Sequence, residues 1–93
     1  MVTLQEVKNA NQMWFDEGNA SFFGDKWYKV KHGKSTGNPY LVRYTAAWTD
    51  MFGQPKKYHY RINPINSDTL KIESLIDTVF DTEEEVNDWL KGN

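Results

Sequence analysis

Cysteine is absent from the sequence, and histidine and proline are scarce, with two and three copies in 93 residues. The absence of cysteine excludes a disulfide scaffold and a thiolate metal site. The two imidazoles, His32 and His59, lie on different predicted strands, so we expect no metal and no cofactor. No apolar run is long enough for a transmembrane helix or a signal-peptide core, and we expect a cytoplasmic protein.

Large aromatic side chains are abundant by contrast, with four Trp, five Tyr and five Phe. Each of these side chains can bury roughly 150–250 Å² on folding, so a short chain can form a core without disulfides. The length is sufficient for one domain and not for two, and we expect a single domain over residues 1–93.

Two capping boxes mark the start of helices near the two ends of the chain. Thr3 and Glu6 open a predicted helix over residues 4–15, and its apolar positions lie near one face. Thr82 and Glu85 open a last helix, which has three glutamates in its first turn and ends near Gly92.

Alternating patterns predict strands over residues 26–31, 40–45 and 57–62, and a short fourth strand over residues 69–73. Residues 74–80 fit either a helical turn or an edge strand. Short consecutive strands with brief connections pair antiparallel. The predicted fold class is α+β, with an antiparallel three- to four-stranded meander sheet and the N-terminal and C-terminal helices packed on one face. The side chains expected to face the helices are Tyr28, Val30, Val42, Tyr44, Tyr58, Tyr60, Ile62, Leu70 and Ile72.

The net charge of −2 conceals three blocks of different sign. Residues 1–24 carry −2, residues 25–65 carry +6 and residues 66–93 carry −6. The basic block coincides with the central strands, and alternation places most of its side chains on the predicted solvent face. The members of this face are Trp27, Lys29, Lys31, Arg43, Lys57, His59 and Arg61.

The sequence allows three interpretations of the basic face. It could contact an acidic protein surface, hold phosphates and stack a nucleobase, or simply be solvated. The net acidity of the chain disfavours a dedicated nucleic-acid binder. Trp48 and Phe52, in the loop before the third strand, either fold over the core or anchor a partner. The candidate partner-binding residues are therefore the seven residues of the basic face together with Trp48 and Phe52.

Catalytic patterns are incomplete in this sequence. The segment from His32 to Thr36 suggests a phosphate loop, but Tyr28 stands where the pattern requires its first glycine. No acid accompanies Ser35 and His32 to complete a nucleophilic site. We expect no catalytic residues and no enzymatic activity.

The opposite charges of the basic block and the last helix also predict self-association. We expect the last helix to pack on the apolar face of the sheet, which leaves its glutamates too far from the basic face to pair within one molecule. The helix of one copy can then meet the basic face of another. Such association would be weak and would disappear as salt screens the charges.

The order of features resembles that of a group of small phage, prophage and plasmid-encoded accessory proteins. The segments that carry the resemblance are Val7-Lys8-Asn9-Ala10-Asn11, Phe22-Phe23-Gly24, Tyr60-Arg61-Ile62-Asn63-Pro64-Ile65 and Glu84-Glu85-Val86-Asn87-Asp88-Trp89-Leu90. The resemblance brings no known activity, but it implies a mobile-element protein that binds and inhibits a host factor or defence complex. We therefore expect a non-enzymatic protein acting by stoichiometric contact, with a host or defence-system protein as partner and no membrane. The alternative is a nucleic-acid-binding module that uses the basic sheet face.

Overall fold

A three-stranded antiparallel sheet in the order β1-β2-β3 organises the chain, and the computed structural model describes residues 1–17, 25–46 and 58–93. The sheet confirms the predicted α+β class with helices near both ends. The helices and strands, in chain order, are α1 (Leu4–Ala10), α2 (Gln12–Asp16), β1 (Asp25–His32), β2 (Pro39–Thr45), β3 (His59–Pro64) and α3 (Glu83–Lys91).

The sheet is covered on both faces, and the expectation that both helices share one face is wrong. The register pairs Trp27 with Tyr44 and Tyr28 with Arg43. Because directly paired residues point to the same face, Tyr28 lies on the opposite face from Tyr44. We call the side covered by the C-terminal helix the α3 face and the side covered by the N-terminal helices the α1 face. Side chains alternate within each strand as predicted. The pairing of β1 with β2 then places Tyr28 on the same face as Arg43 and Trp27 on the same face as Tyr44.

Each face has its own apolar core. The α3-face core consists of Val42, Ile62, Phe80, Val86 and Leu90, all buried. The α1-face core consists of Val7, Leu41 and Ile65, with Tyr28, Val30 and Ile72 packed against it. Burial of apolar surface contributes about 25 cal/mol per Å², so both helical layers stabilise the sheet.

The predicted N-terminal helix is interrupted at one residue. Thr3 caps α1 as expected, because its hydroxyl accepts a hydrogen bond from the Glu6 amide at 3.3 Å. Asn11 then leaves the helical conformation, with φ −130° and ψ 40°, and α2 begins at Gln12. Asparagine favours such breaks because its side chain competes for backbone hydrogen bonds.

Residues 69–73 do not form the predicted fourth strand, and residues 74–80 form neither a helical turn nor a regular edge strand. Residues 72–80 run along the outer edge of β3, where only isolated bridges form, between Ile65 and Ile72 and between Tyr60 and Phe80. The Ile76 amide donates to the Ile62 carbonyl at 3.0 Å between these bridges. This irregular segment satisfies the backbone groups of an edge that would otherwise be open to another chain.

The β1–β2 loop, residues 33–38, receives the end of α3. The Lys34 amide donates to the Leu90 carbonyl at 2.8 Å, and the Ser35 hydroxyl donates to the Lys91 carbonyl at 3.1 Å. The Thr36 amide donates to the backbone oxygen of Asn93 at 3.1 Å. These bonds satisfy carbonyls that the last turn of a helix leaves without partners.

Candidate functional site

The predicted basic face is not formed, because the register divides its residues between the two faces of the sheet. The α3 face holds Trp27, Lys29 and Lys31. The α1 face holds Arg43, His59 and Arg61, and all three are buried. The other three predicted partner-binding residues, Trp48, Phe52 and Lys57, lie outside the described residues. The described side chains of the predicted basic face therefore do not lie together on one solvated surface.

Arg43 forms an ion pair inside the α1 face instead of contacting a partner. Its Nε and Nη2 donate to the two carboxylate oxygens of Asp25 at 2.8 and 3.1 Å. The side chains are 3% and 1% exposed, and Arg43 Nη1 also donates to Asn63 Oδ1 at 3.3 Å. Bidentate geometry of this kind gives strong charge-assisted hydrogen bonds. Arg43 is therefore part of the folded interior.

Arg61 lies directly opposite Arg43 in the register and is also buried. Its Nη2 donates to the Ile76 carbonyl at 3.3 Å, whereas its Nε has no hydrogen-bond partner among the described residues. Burial lowers the pKa of Arg61, the charge of Arg43 lowers it further, and Asp77 partly offsets both effects. A guanidinium in this position is not presented to a partner at the surface.

Lys29 and Lys31 remain on the α3 face and bind the carboxylate of Glu83 in the first turn of α3. Their Nζ atoms lie 3.2 and 3.1 Å from Glu83 Oε1, and Lys31 also donates to Asn87 Oδ1 at 3.0 Å. Hydrogen bonds from Lys31 and Lys29 lower the pKa of Glu83. The expectation that the glutamates of this helix lie too far from the basic block to pair within one molecule is therefore wrong. Self-association stays a prediction. Lys29 and Lys31 support it less than expected, because both contact Glu83 within the same molecule.

A row of four aromatic rings lies beside these charges, and we call it the aromatic platform: Trp27, Tyr44, Tyr58 and Tyr60. Trp27 and Tyr44 stack with centroids 5.7 Å apart, and Tyr44 and Tyr58 stack at 5.1 Å. Tyr60 lies 4.7 Å from Tyr44 and 5.7 Å from Trp27. The rings come from all three strands, so the platform depends on the register of the whole sheet.

The platform extends beyond the part of the sheet that α3 covers. Trp27 and Tyr60 pack against the α3-face core, whereas Tyr44 and Tyr58 belong to neither described core cluster. Tyr58 is 40% exposed. Burial raises the pKa of Tyr60, with smaller contributions in the same direction from Glu83 and Tyr44.

Lysines cover the two ends of the row. The Lys29 ammonium lies 4.6 Å from the centroid of the Trp27 ring, and the Lys26 ammonium lies 5.6 Å from that of Tyr58. Ring faces are thus occupied by other rings or by ammonium groups, which are attracted to the π-electrons.

The sequence predicts one member of the platform, Trp27, as a binding residue and the three tyrosines as core residues. The spacing of Tyr58 and Tyr60 does place both on one face of a strand. Their proximity to Tyr44 and Trp27 follows only from the pairing of three strands, which alternation does not specify.

Within residues 1–17, 25–46 and 58–93, no three His, Asp or Glu side chains could together hold a metal ion. The hydroxyl of Ser35 donates to the Lys91 carbonyl in the loop that receives α3. None of the described helices combines the length and apolar composition that a membrane span requires.

Comparison with family models, curated proteins and solved structures finds no match to this chain.

Proposed function

We propose that this chain is a non-enzymatic binding protein that contacts a partner protein stoichiometrically through the aromatic platform. The observation that carries the proposal is the position of Tyr44 and Tyr58, two stacked rings outside both described cores, one of them 40% exposed. Tyr and Trp are enriched among the residues that dominate binding energy at protein interfaces. Because the rings already hold each other in place, binding immobilises few additional side chains.

A protein partner is favoured over nucleic acid by the distribution of the basic side chains. Arg43 and Arg61 are buried on the opposite face, so they cannot contact phosphates. Lys29 and Lys31 share the carboxylate of Glu83, which offsets one of their two positive charges. A nucleobase would also have to displace a lysine or a neighbouring ring before it could stack. Nucleic-acid binding is nevertheless the alternative outcome that a gel shift with random DNA and RNA at low salt would detect.

The partner class that we propose, a host or defence-system protein, rests on the resemblance of the sequence to mobile-element accessory proteins. A cytoplasmic location belongs to the same proposal. Binding of this kind requires one chain per partner molecule, so its effect should saturate at equimolar protein. An enzyme would act at far lower ratios of protein to target.

The experiment compares partner capture by the native chain and by Tyr58→Ala. Truncation of an interface anchor commonly costs about 2 kcal/mol or more, which lowers affinity by about 30-fold. Met13→Ala is the matched control, because Met13 is 75% exposed on α2 and belongs to the opposite layer. Capture from a host lysate, quantified by mass spectrometry, should fall for Tyr58→Ala and persist for Met13→Ala. Equal capture by both variants would refute the proposal.

A further inference from the structure

The outer edge of β1 is not paired with any described residue. The sheet order is β1-β2-β3, and the outer edge of β3 is covered by residues 72–80. No described residue covers the corresponding edge of β1, which is eight residues long. An antiparallel edge of this length can accept a further strand through main-chain hydrogen bonds.

The register identifies the backbone groups that face outward from this edge. Successive residues of a strand direct their N–H and C=O groups alternately to its two edges. The Gly33 amide donates to the Asn38 carbonyl at 2.9 Å, toward β2, so the backbone groups of Lys31 and Lys29 also face β2. The backbone groups facing away from β2 are those of Tyr28, Val30 and His32.

The side chains along β1 differ in chemistry between the two faces. Lys29 and Lys31 stand on the α3 face, and Lys26 precedes them along the strand. The one carboxylate of β1, Asp25, is buried against Arg43. On the α1 face the strand presents the half-buried Tyr28 and Val30 beside the α1-face core. In a strand added at this edge, side chains on the α3 face would lie beside the lysines, and side chains on the α1 face would lie beside Tyr28 and Val30.

We infer that the β1 edge binds an extended segment of a partner protein in which acidic and apolar residues alternate. A carboxylate on the α3 face would lie beside Lys29, whose side chain is 49% exposed and whose ammonium group has three N–H donors for one described carboxylate contact, with Glu83. Apolar side chains on the other face would extend the contact surface of Tyr28 and Val30. This edge adjoins the aromatic platform, because Lys29 lies over the Trp27 ring. Its test reads the backbone amides of β1 and does not depend on the proposed function.

A second copy of the same edge is a poor occupant. Antiparallel pairing of β1 with β1 brings the lysines of one chain next to those of the other. Like charges facing each other across strands are destabilising. The occupant is thus an acidic segment from another protein rather than a second copy of this chain.

Amide hydrogen exchange followed by NMR tests whether the edge is open and accepts such a strand. In the free protein the amides of Tyr28 and Val30 should exchange much faster than those of Lys29 and Lys31. A short peptide of alternating glutamate and valine should slow the exchange of Tyr28 and Val30 at least tenfold. A peptide with lysine in place of glutamate should have no effect. Protection of Tyr28 and Val30 in the free protein, or equal effects of the two peptides, would overturn the inference.

Matched variants at one position separate the backbone contribution from the side-chain contribution. Val30→Pro removes an outward amide without removing a bond to β2, and proline is tolerated at edge positions of this kind. Val30→Ala shortens the side chain and keeps the amide. Val30→Pro should weaken binding of the glutamate–valine peptide at least tenfold relative to Val30→Ala, and Tyr58→Ala should bind as the native chain does. Equal binding by Val30→Pro and Val30→Ala would contradict strand addition, whereas loss of binding in Tyr58→Ala would assign the peptide to the platform.

Discussion

The side chain of Asn11 joins the break between α1 and α2 to the backbone at Leu70, 59 residues later in the chain. Its amide nitrogen donates to the Leu70 carbonyl at 2.7 Å and to the Val7 carbonyl at 2.7 Å. Its oxygen accepts from the Ile72 amide at 2.9 Å. Leu70 has a left-handed φ of 62°, which is unfavourable for leucine, so these bonds hold a strained turn against the N-terminal helices.

Replacement of Asn11 by alanine should destabilise the fold by about 2–3 kcal/mol, because it leaves buried backbone groups without partners. Asn9→Ala is the control, since Asn9 is exposed and its side chain accepts only from Gln5 among the described contacts. Urea denaturation measures both variants. A loss in Asn11→Ala no larger than in Asn9→Ala would show that this connection does not stabilise the fold.

Gly33 tests the contact between the β1–β2 loop and the end of α3. A Cβ atom at this position would overlap the backbone of Asn93, so Gly33→Ala should cost about 1–3 kcal/mol, the usual range for overpacking. Gly92→Ala provides the control, because the nearest atom to its Cβ is the Trp89 carbonyl oxygen at 3.8 Å. Thermal denaturation should show a lower Tm for Gly33→Ala alone. An unchanged Tm would mean that the loop and the helix end are not in contact in solution.

The ion pairs of Glu83 predict a specific pH dependence. The pKa of Glu83 is lower in the folded protein than in the unfolded chain, so its stabilising effect is present above the unfolded pKa. The effect is lost as the pH falls through the folded pKa. At neutral pH and low salt Glu83→Gln should cost about 0–1 kcal/mol, a small value because the carboxylate is 42% exposed. This cost should vanish at acid pH.

Glu84→Gln is the matched control for the pH measurement, since Glu84 is the next residue in the same turn and is exposed. The free energy of unfolding of both variants should be followed from neutral to acid pH. A pH-independent difference between Glu83→Gln and the native chain would contradict the assignment of the ion pairs.

Arg43 and Arg61 face each other across β2 and β3, but replacement by methionine should change the stability of the fold differently at the two positions. Arg43→Met leaves the carboxylate of Asp25 buried without its guanidinium partner, so we expect a loss of about 3–5 kcal/mol. Arg61→Met removes a buried charge whose Nε has no described hydrogen-bond partner. We expect that change to be neutral or stabilising by about 1 kcal/mol. Urea denaturation giving equal losses for both variants would contradict the distinction.

Local signals in the sequence predicted the helix starts well and the relations between strands poorly. Thr3 and Thr82 cap their helices as the capping boxes indicate, because the partner of each hydroxyl lies three residues away. The pairing of Tyr28 with Arg43 depends on the register of two strands joined by a loop, and alternation leaves both choices open. The register places Tyr28 and Val30 on the face of the arginines, and the N-terminal helices and Asp25 cover that face, so the arginines are interior.

The candidate site was predictable only in part for the same reason. Trp27 was identified from its place among basic residues, whereas Tyr44 and Tyr58 join it through pairing across three strands. The break at Asn11 likewise depends on partners near Leu70, far along the chain. Contacts of long sequence separation are thus the ones that local patterns did not predict.

Site-specific photo-crosslinking reports which surface of this protein touches its partner. A benzophenone amino acid is introduced at position 58 of the platform and, separately, at position 13 of α2, and each protein is irradiated in host lysate. We predict one covalent adduct from position 58, with the mass of one chain plus one partner protein, and none from position 13. An adduct from position 13 alone, or adducts of equal yield from both positions, would show that the partner does not bind at the aromatic platform.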